Sequence, residues 1–176
     1  MKFVSSLASC AAVIAALVLG VLASPAAVIQ TQDPCVDPET GECLDFSGGP
    51  SPTIPIIRTF KFDAPSAGTA EVTFHGSMLC ANSTSTMEVV DVMTQIVTHS
   101  TDLPDWNGPG GLRLAQTIEP NIPNNKSDTF NLASTRVVPI GAPGVRRFFF
   151  KMYPLRVDAH ITCFVFNATF SVVFVP

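Results

Sequence analysis

The alternation in "GTAEVTFHGSMLC", Gly68 to Cys80, limits the fold more than any other feature of the chain. Ala70, Val72, Phe74, Met78 and Cys80 fall on one parity, and Glu71, Thr73, His75 and Ser77 on the other. A period of two is the signature of a strand with one face buried. "EVVDVMTQIVT" repeats it, with Val90, Val92 and Ile96 against Asp91 and Gln95. In "VRRFFFKMY", Phe148, Phe150 and Met152 alternate with Arg147, Phe149 and Lys151. Shorter strands are predicted at "IIRTFKF", "GLRLAQTI", "DTFNLA" and "TRVVPI". The C-terminal "AHITCFVFNATFSVVFVP" is apolar on both parities, as a central strand pair buried on two faces would be. That gives about eight to ten strands separated by Pro-, Gly- and Asn-rich turns. No segment sustains a helical period. The expected fold is an all-β, antiparallel two-sheet sandwich.

The chain of 176 residues divides into three parts. Residues 1–23 read as a cleaved secretory signal. Lys2 is the positive start, Ala11 to Leu22 the apolar run, and "VLA" ending at Ala23 the cleavage pattern. The apolar run is shorter than the roughly 20 residues of a spanning helix, and no later segment is long enough to cross a membrane. Residues 24–55 form an acidic, Pro- and Gly-rich stretch with Asp33, Asp37, Glu39, Glu42 and Asp45 and no Lys or Arg. It reads as an irregular, solvated arm rather than a calcium loop, because the alternating ligands of an EF-hand are missing. Residues 56–176 carry nine acids and nine bases and form the sandwich. A neutral domain behind an acidic arm has no electrostatic footprint for nucleic acid.

Beyond the signal there are four cysteines, Cys35, Cys43, Cys80 and Cys163. An even count in a secreted chain implies two disulfides. Of the three connectivities, the expected one is Cys35–Cys43, closing a small loop in the arm, with Cys80–Cys163 spanning the domain. A zinc site is not expected, since there is no CxxC and no histidine near any cysteine. Three sequons, at Asn82, Asn125 and Asn167, mark expected N-glycans, the first two on loops. Asn167 raises a conflict. It lies four residues after Cys163, so a continuous strand would put a glycan and a buried disulfide on one face. A bulge between them, a disulfide at the rim, or an unused Asn167 would each resolve it, and the rim disulfide is the expected solution.

"FDAPSAGTAEVTFHG", Phe62 to Gly76, resembles the opening strand of complement-type globular heads and the wider tumour-necrosis-factor-like jelly rolls. Phe62, Pro65, Gly68, Val72 and Phe74 carry the match, and "FSVVFVP", Phe170 to Pro176, resembles the closing strand. Ala70 stands where that family has an aromatic, and no collagen-like repeat precedes the domain. The resemblance implies a jelly roll and a homo-oligomer. Viral-capsid, lectin and cupin-like jelly rolls share the same two-sheet logic. An immunoglobulin fold fits less well: Trp106 lies in a loop, and Ile161 occupies the place of the tyrosine corner.

No GxSxG, HExxH or P-loop motif is present, and no cofactor or metal is expected. His75, His99 and His160 are scattered, which argues for solvated roles rather than metal ligation. The most distinctive loop is "STDLPDWNGPGG", with Asp102, Asp105, Trp106 and Asn107 around the single tryptophan. It could stack a sugar ring. The preferred reading is that Trp106 plugs one end of the sandwich while the acids make turns. Truncating such a plug would cost about 3–5 kcal/mol. Three function classes follow: a secreted, non-enzymatic sandwich for extracellular structure or protein interaction, a carbohydrate-binding module using the Trp106 loop, and a hydrolase with scattered site residues. Partners of the first two are an extracellular protein or a glycan. N-terminal sequencing of secreted chain is expected to begin at or near Ser24, and recovery of intact Met1 would refute the signal assignment.

Overall fold

The computed structural model describes residues 27–33, 42–47, 56–120 and 127–176. Cys35, the side chain of Cys43, Asn125 and the signal segment lie outside the described residues. Nine strands occur among the described residues: β1 (Val28–Gln32), β2 (Glu42–Ser47), β3 (Ile56–Ala64), β4 (Gly68–Asn82), β5 (Glu88–Val97), β6 (Leu112–Ile118), β7 (Asp128–Ile140), β8 (Gly144–Val157) and β9 (Ile161–Val175). "DTFNLA" and "TRVVPI", expected as separate strands, are one continuous β7.

The pairing is nested. β1 and β2 pair with β9, β3 with β8, β4 with β7, and β5 with β6, all antiparallel. This is a long hairpin whose closed end is the β5–β6 loop. Two further pairings, β4 with β9 and β5 with β8, roll it into two sheets. The first sheet runs β1-β9-β4-β7, with β2 beside β9, and the second runs β3-β8-β5-β6. That strand order is a jelly roll.

The acidic arm is therefore part of the sandwich over its described segments. β1 and β2 share one edge of β9 end to end, β1 along Phe170 to Phe174 and β2 along Thr162 to Phe166. Together they take the place of the opening jelly-roll strand. The Phe62–Gly76 stretch that resembles an opening strand instead supplies the end of β3 and the start of β4. A strand paired along an edge is held by backbone groups, so its side chains need not show alternation. Acidic composition concealed it for that reason.

The buried parity of β4 and β8 faces the space between the sheets. Phe60 meets Phe170 at 5.2 Å, Phe62 meets Phe174 at 5.4 Å, and Phe74 stacks on Phe150 at 3.6 Å with rings 8° from parallel. Each of these pairs joins one sheet to the other.

β9 is not a two-faced central strand pair. Ile161, Cys163 and Val165 are buried, and then Ala168, Phe170, Val172 and Phe174. The buried parity changes between Val165 and Ala168, which makes the sequence look apolar on both faces. The cause is a bulge. His75 of β4 pairs with Thr169 but Ser77 pairs with Phe166, so β9 carries one residue more than β4. Asn167 takes it up in the left-handed region at φ 50°, where asparagine is better tolerated than most residues. Gly76 lies opposite, where an added Cβ would stand 3.2 Å from the Cβ of Ala168.

The bulge also settles the parity conflict. Cys80 and Cys163 are register partners on β4 and β9, bonded to each other and fully buried, with Cα atoms 4.1 Å apart. The disulfide lies within the first sheet, on its inner face, and not at the rim. Asn167, on the far side of the bulge, is exposed.

The left-handed residue supplies a test. Asn167→Gly is expected to leave stability within about 0.5 kcal/mol, whereas Asn167→Val is expected to cost about 1–2 kcal/mol. Urea unfolding of both variants measures the difference, and equal stabilities would contradict this bulge geometry.

Candidate functional site

The β5–β6 connection, residues 98–111, folds back over the outer face of the second sheet. By parity, Gln95 and Lys151 point outward, yet both are buried because this loop covers them. Lys151 Nζ donates to the carbonyls of Ser100, at 2.6 Å, and Asp102. Gln95 Oε1 accepts from the Asp105 amide at 2.9 Å, and its Nε2 donates to Pro109 O at 3.3 Å. From the first sheet, Ser134 Oγ donates to Gly110 O at 2.6 Å. Gly110 has φ 71°, and a Cβ there would lie 2.4 Å from Thr135 O, so only glycine fits. β6 reaches only as far as Thr94 on β5. Beyond that point Arg136 of β7 donates to Ile96 O at 3.0 Å. The loop is thus pinned by buried side chains from three strands. Burial lowers the Lys151 pKa, with Asp102 acting in the opposite sense.

Trp106 does not plug the end of the sandwich. It is 43% exposed on this loop, over the outer face of the second sheet. The Arg113 guanidinium stands 5.5 Å from the ring centroid, within cation–π range. Arg113 is held in turn by Asp91 through two hydrogen bonds, at 3.0 and 2.5 Å, which raise its pKa. Register places Tyr153, the only tyrosine, beside Met93, and Met93 beside Arg113. The single tryptophan and the single tyrosine therefore share one face. Leu103 and Leu112 of the same loop region are exposed as well.

The acids of the loop do not converge beside Trp106. Asp102 pairs with His99 at 3.4 Å. Asp105 Oδ1 accepts from the Asn107 amide at 2.9 Å, and Asp105 O accepts from the Gly108 amide at 3.0 Å. Asp105 thus makes a turn, as expected of it. No group of three or more His, Cys, Asp or Glu able to hold a metal occurs among the described residues. His75 lies within β4, His99 follows β5, and His160 sits in the turn before β9, so the three do not meet.

An open groove of about 590 Å³ lies at one end of the sandwich, between Thr98–Thr101, the end of β7 and the start of β8. Arg146 and Arg147 line it. Arg146 is turned back onto its own corner, donating to Ala142 O at 2.8 Å and Val145 O at 3.3 Å.

The other end is closed by polar ties. Asn82, expected in an exposed loop, is the fully buried last residue of β4. Its Nδ2 donates to Thr86 O at 2.6 Å and to Ile118 O of the second sheet at 3.3 Å. Its Oδ1 accepts from the amide and hydroxyl of Thr84. Nδ2, the atom a glycan would occupy, is thus engaged within the fold. Nearby, Glu88 holds both the ring and the amide of His160, at 2.7 and 3.1 Å. Asp158 accepts from the Val89 amide at 2.8 Å and from Arg156 at 2.7 and 2.9 Å.

Asp102, Asp105, Trp106 and Asn107 were legible as a loop cluster. Its supports, Gln95, Arg113 and Lys151, lie outside it in sequence. The signal for Lys151 and Gln95 was present as a polar residue inside each of two very apolar runs. Arg113 had none, because its meeting with Trp106 depends on where the loop returns.

No protein-family model matches the chain, and no curated protein matches it. Among the solved structures that match are two of infectious bursal disease virus. The Gt strain gives a TM-score of 0.39 at 11% identity over 85% of this chain and 32% of that one. The Gx strain gives 0.33 at 10% identity over 86% and 38%. The chain spans about a third of the length of these structures, and the jelly-roll assignment rests on its own strand order.

The Asp158 cluster predicts a pH effect. Arg156, then the Val89 amide, lower the Asp158 pKa from its ordinary 3.8. A carboxylate whose folded pKa is depressed contributes stability that is fully present above its unfolded value and is lost as pH falls through the folded one. Asp158→Asn is therefore expected to lower stability at neutral pH and to flatten the decline below about pH 4. Thermal melts from pH 7 to pH 2 measure it. Parallel decline of variant and native chain would contradict the assignment.

Proposed function

We propose that the chain is a secreted, non-enzymatic β-sandwich for extracellular structure or protein interaction, with the Trp106 loop as its contact surface. The observation that carries this is the exposure of Trp106, stacked by Arg113, on a loop pinned by buried Lys151, Gln95 and Ser134 and also exposing Leu103. An exposed aromatic on a fixed frame loses little freedom on binding, and tryptophan and arginine are the commonest interface anchors. Arg113 stands beside the ring with its charge balanced by Asp91, which keeps the surface close to neutral.

A second reading, carbohydrate binding, is favoured by the placement of Trp106 and Tyr153 on one face, since aromatic rings stack on sugars. The engagement of Asp102 and Asp105 within the loop counts against it, because a sugar site needs free polar groups around the ring.

Trp106→Ala distinguishes these readings. A residue this exposed is expected to cost about 1 kcal/mol or less on truncation, so the melting temperature should barely move. The native chain is applied to arrays of extracellular proteins and of glycans. Retention on proteins that Trp106→Ala abolishes supports the interaction reading. Retention on glycans alone, lost in the same variant, promotes the second, and retention unaffected by the variant refutes the Trp106 surface.

A further inference from the structure

The outer face of the first sheet, on the other side of the molecule from the Trp106 loop, is built in rows. Register sets Thr135, Thr73, Ser171 and Thr31 side by side across four strands. Thr73 and Thr135 share a hydrogen bond at 3.1 Å. One row to one side lie Val137, Glu71, Val173 and Ile29. One row to the other side lie Ala133, His75 and Thr169. Val137 is 59% exposed and Ile29 70%. Glu71 and His75 are the ionisable residues of these three rows, and both are exposed. They stand at equal distances on either side of Thr73.

We infer that this face is an interface between two copies of the chain. Let a second copy lie face to face on the first, with the twofold axis along the hydroxyl row and at right angles to the strands. The axis keeps each strand over its own counterpart and exchanges the two flanking rows. Glu71 of each copy then meets His75 of the other, twice per dimer. Val137 meets Ala133, Val173 meets Thr169, and Thr73 meets its own counterpart. A twofold interface must be self-complementary, and the Glu71–His75 and Val137–Ala133 contacts are. Sheets stacked in this aligned manner cross at about 30°. Small β-branched side chains allow the approach.

The face covers four strands from Thr69 to Ser77, roughly 20 Å by 27 Å at ordinary strand spacing and rise. That is less than the roughly 800 Å² per partner of a standard interface. The dimer is therefore weak and concentration-dependent. The inference concerns a surface separate from the Trp106 loop and stands without it.

Sedimentation equilibrium over a wide concentration range tests it, on chain made where N-glycans are not added, so that Asn167 at the end of this face is bare. A monomer–dimer equilibrium is expected. Glu71→Lys sets Lys against His75, and His75→Glu sets Glu against Glu71. Each is expected to raise the dimer dissociation constant about tenfold. The double variant sets Lys against Glu at both contacts and is expected to restore it to the native value or below. Thr73→Arg, which places two arginines on the axis, is expected to leave only monomer with an unchanged melting temperature. A native chain that stays monomeric throughout, or a double variant no tighter than the singles, overturns the inference.

Discussion

Phe74 is the contact on which the rest of the molecule depends. Its ring stacks on Phe150 of the facing sheet and meets Phe170 of its own sheet edge-on at 5.8 Å. Flanking pairs, Phe60 with Phe170 and Phe62 with Phe174, extend the contact toward one end of the sandwich. Full burial of each ring is worth about 2–3 kcal/mol, and the geometry fixes how the sheets lie over each other. Every outer feature inherits its position from this layer. Lys151 points outward because its neighbours Phe150 and Met152 point in, and the loop it holds follows.

The inner layer was largely legible in the sequence, because alternation reports burial directly. β4 keeps one buried parity from Ala70 to Cys80, and it could be read without a partner. β9 could not. Its extra residue at Asn167 reverses the parity, and a reversal in an apolar segment imitates burial on both faces. Such a shift moves every later side chain to the other face, so only the pairing with β4 reveals it. The arm was hidden for a related reason. Its place is fixed by backbone bonds to β9, more than a hundred residues away in sequence, and edge pairing leaves little trace in composition.

The functional loop shows where local reading stops. Its acids were read as turn makers, and Asp105 is one. Composition alone predicts a buried Trp106, because single tryptophans usually are. What exposes it is the anchoring of the loop backbone by Lys151 and Gln95, which brings the segment flat across the sheet and leaves the ring on top. The two described sequons make the same point. Asn82 and Asn167 sit in equivalent tripeptides, yet one is a buried tie between sheets and the other is the exposed residue of a bulge.

The position of β9 has a consequence for the order in which the molecule can be built. β9 follows every strand it pairs with, and its neighbours are the two arm segments on one side and β4 on the other. Until β9 has been synthesised, the arm has no edge to join and Cys80 has no partner on the adjacent strand. The first sheet therefore cannot close before β9 has emerged. The long loops to be closed make that step slow.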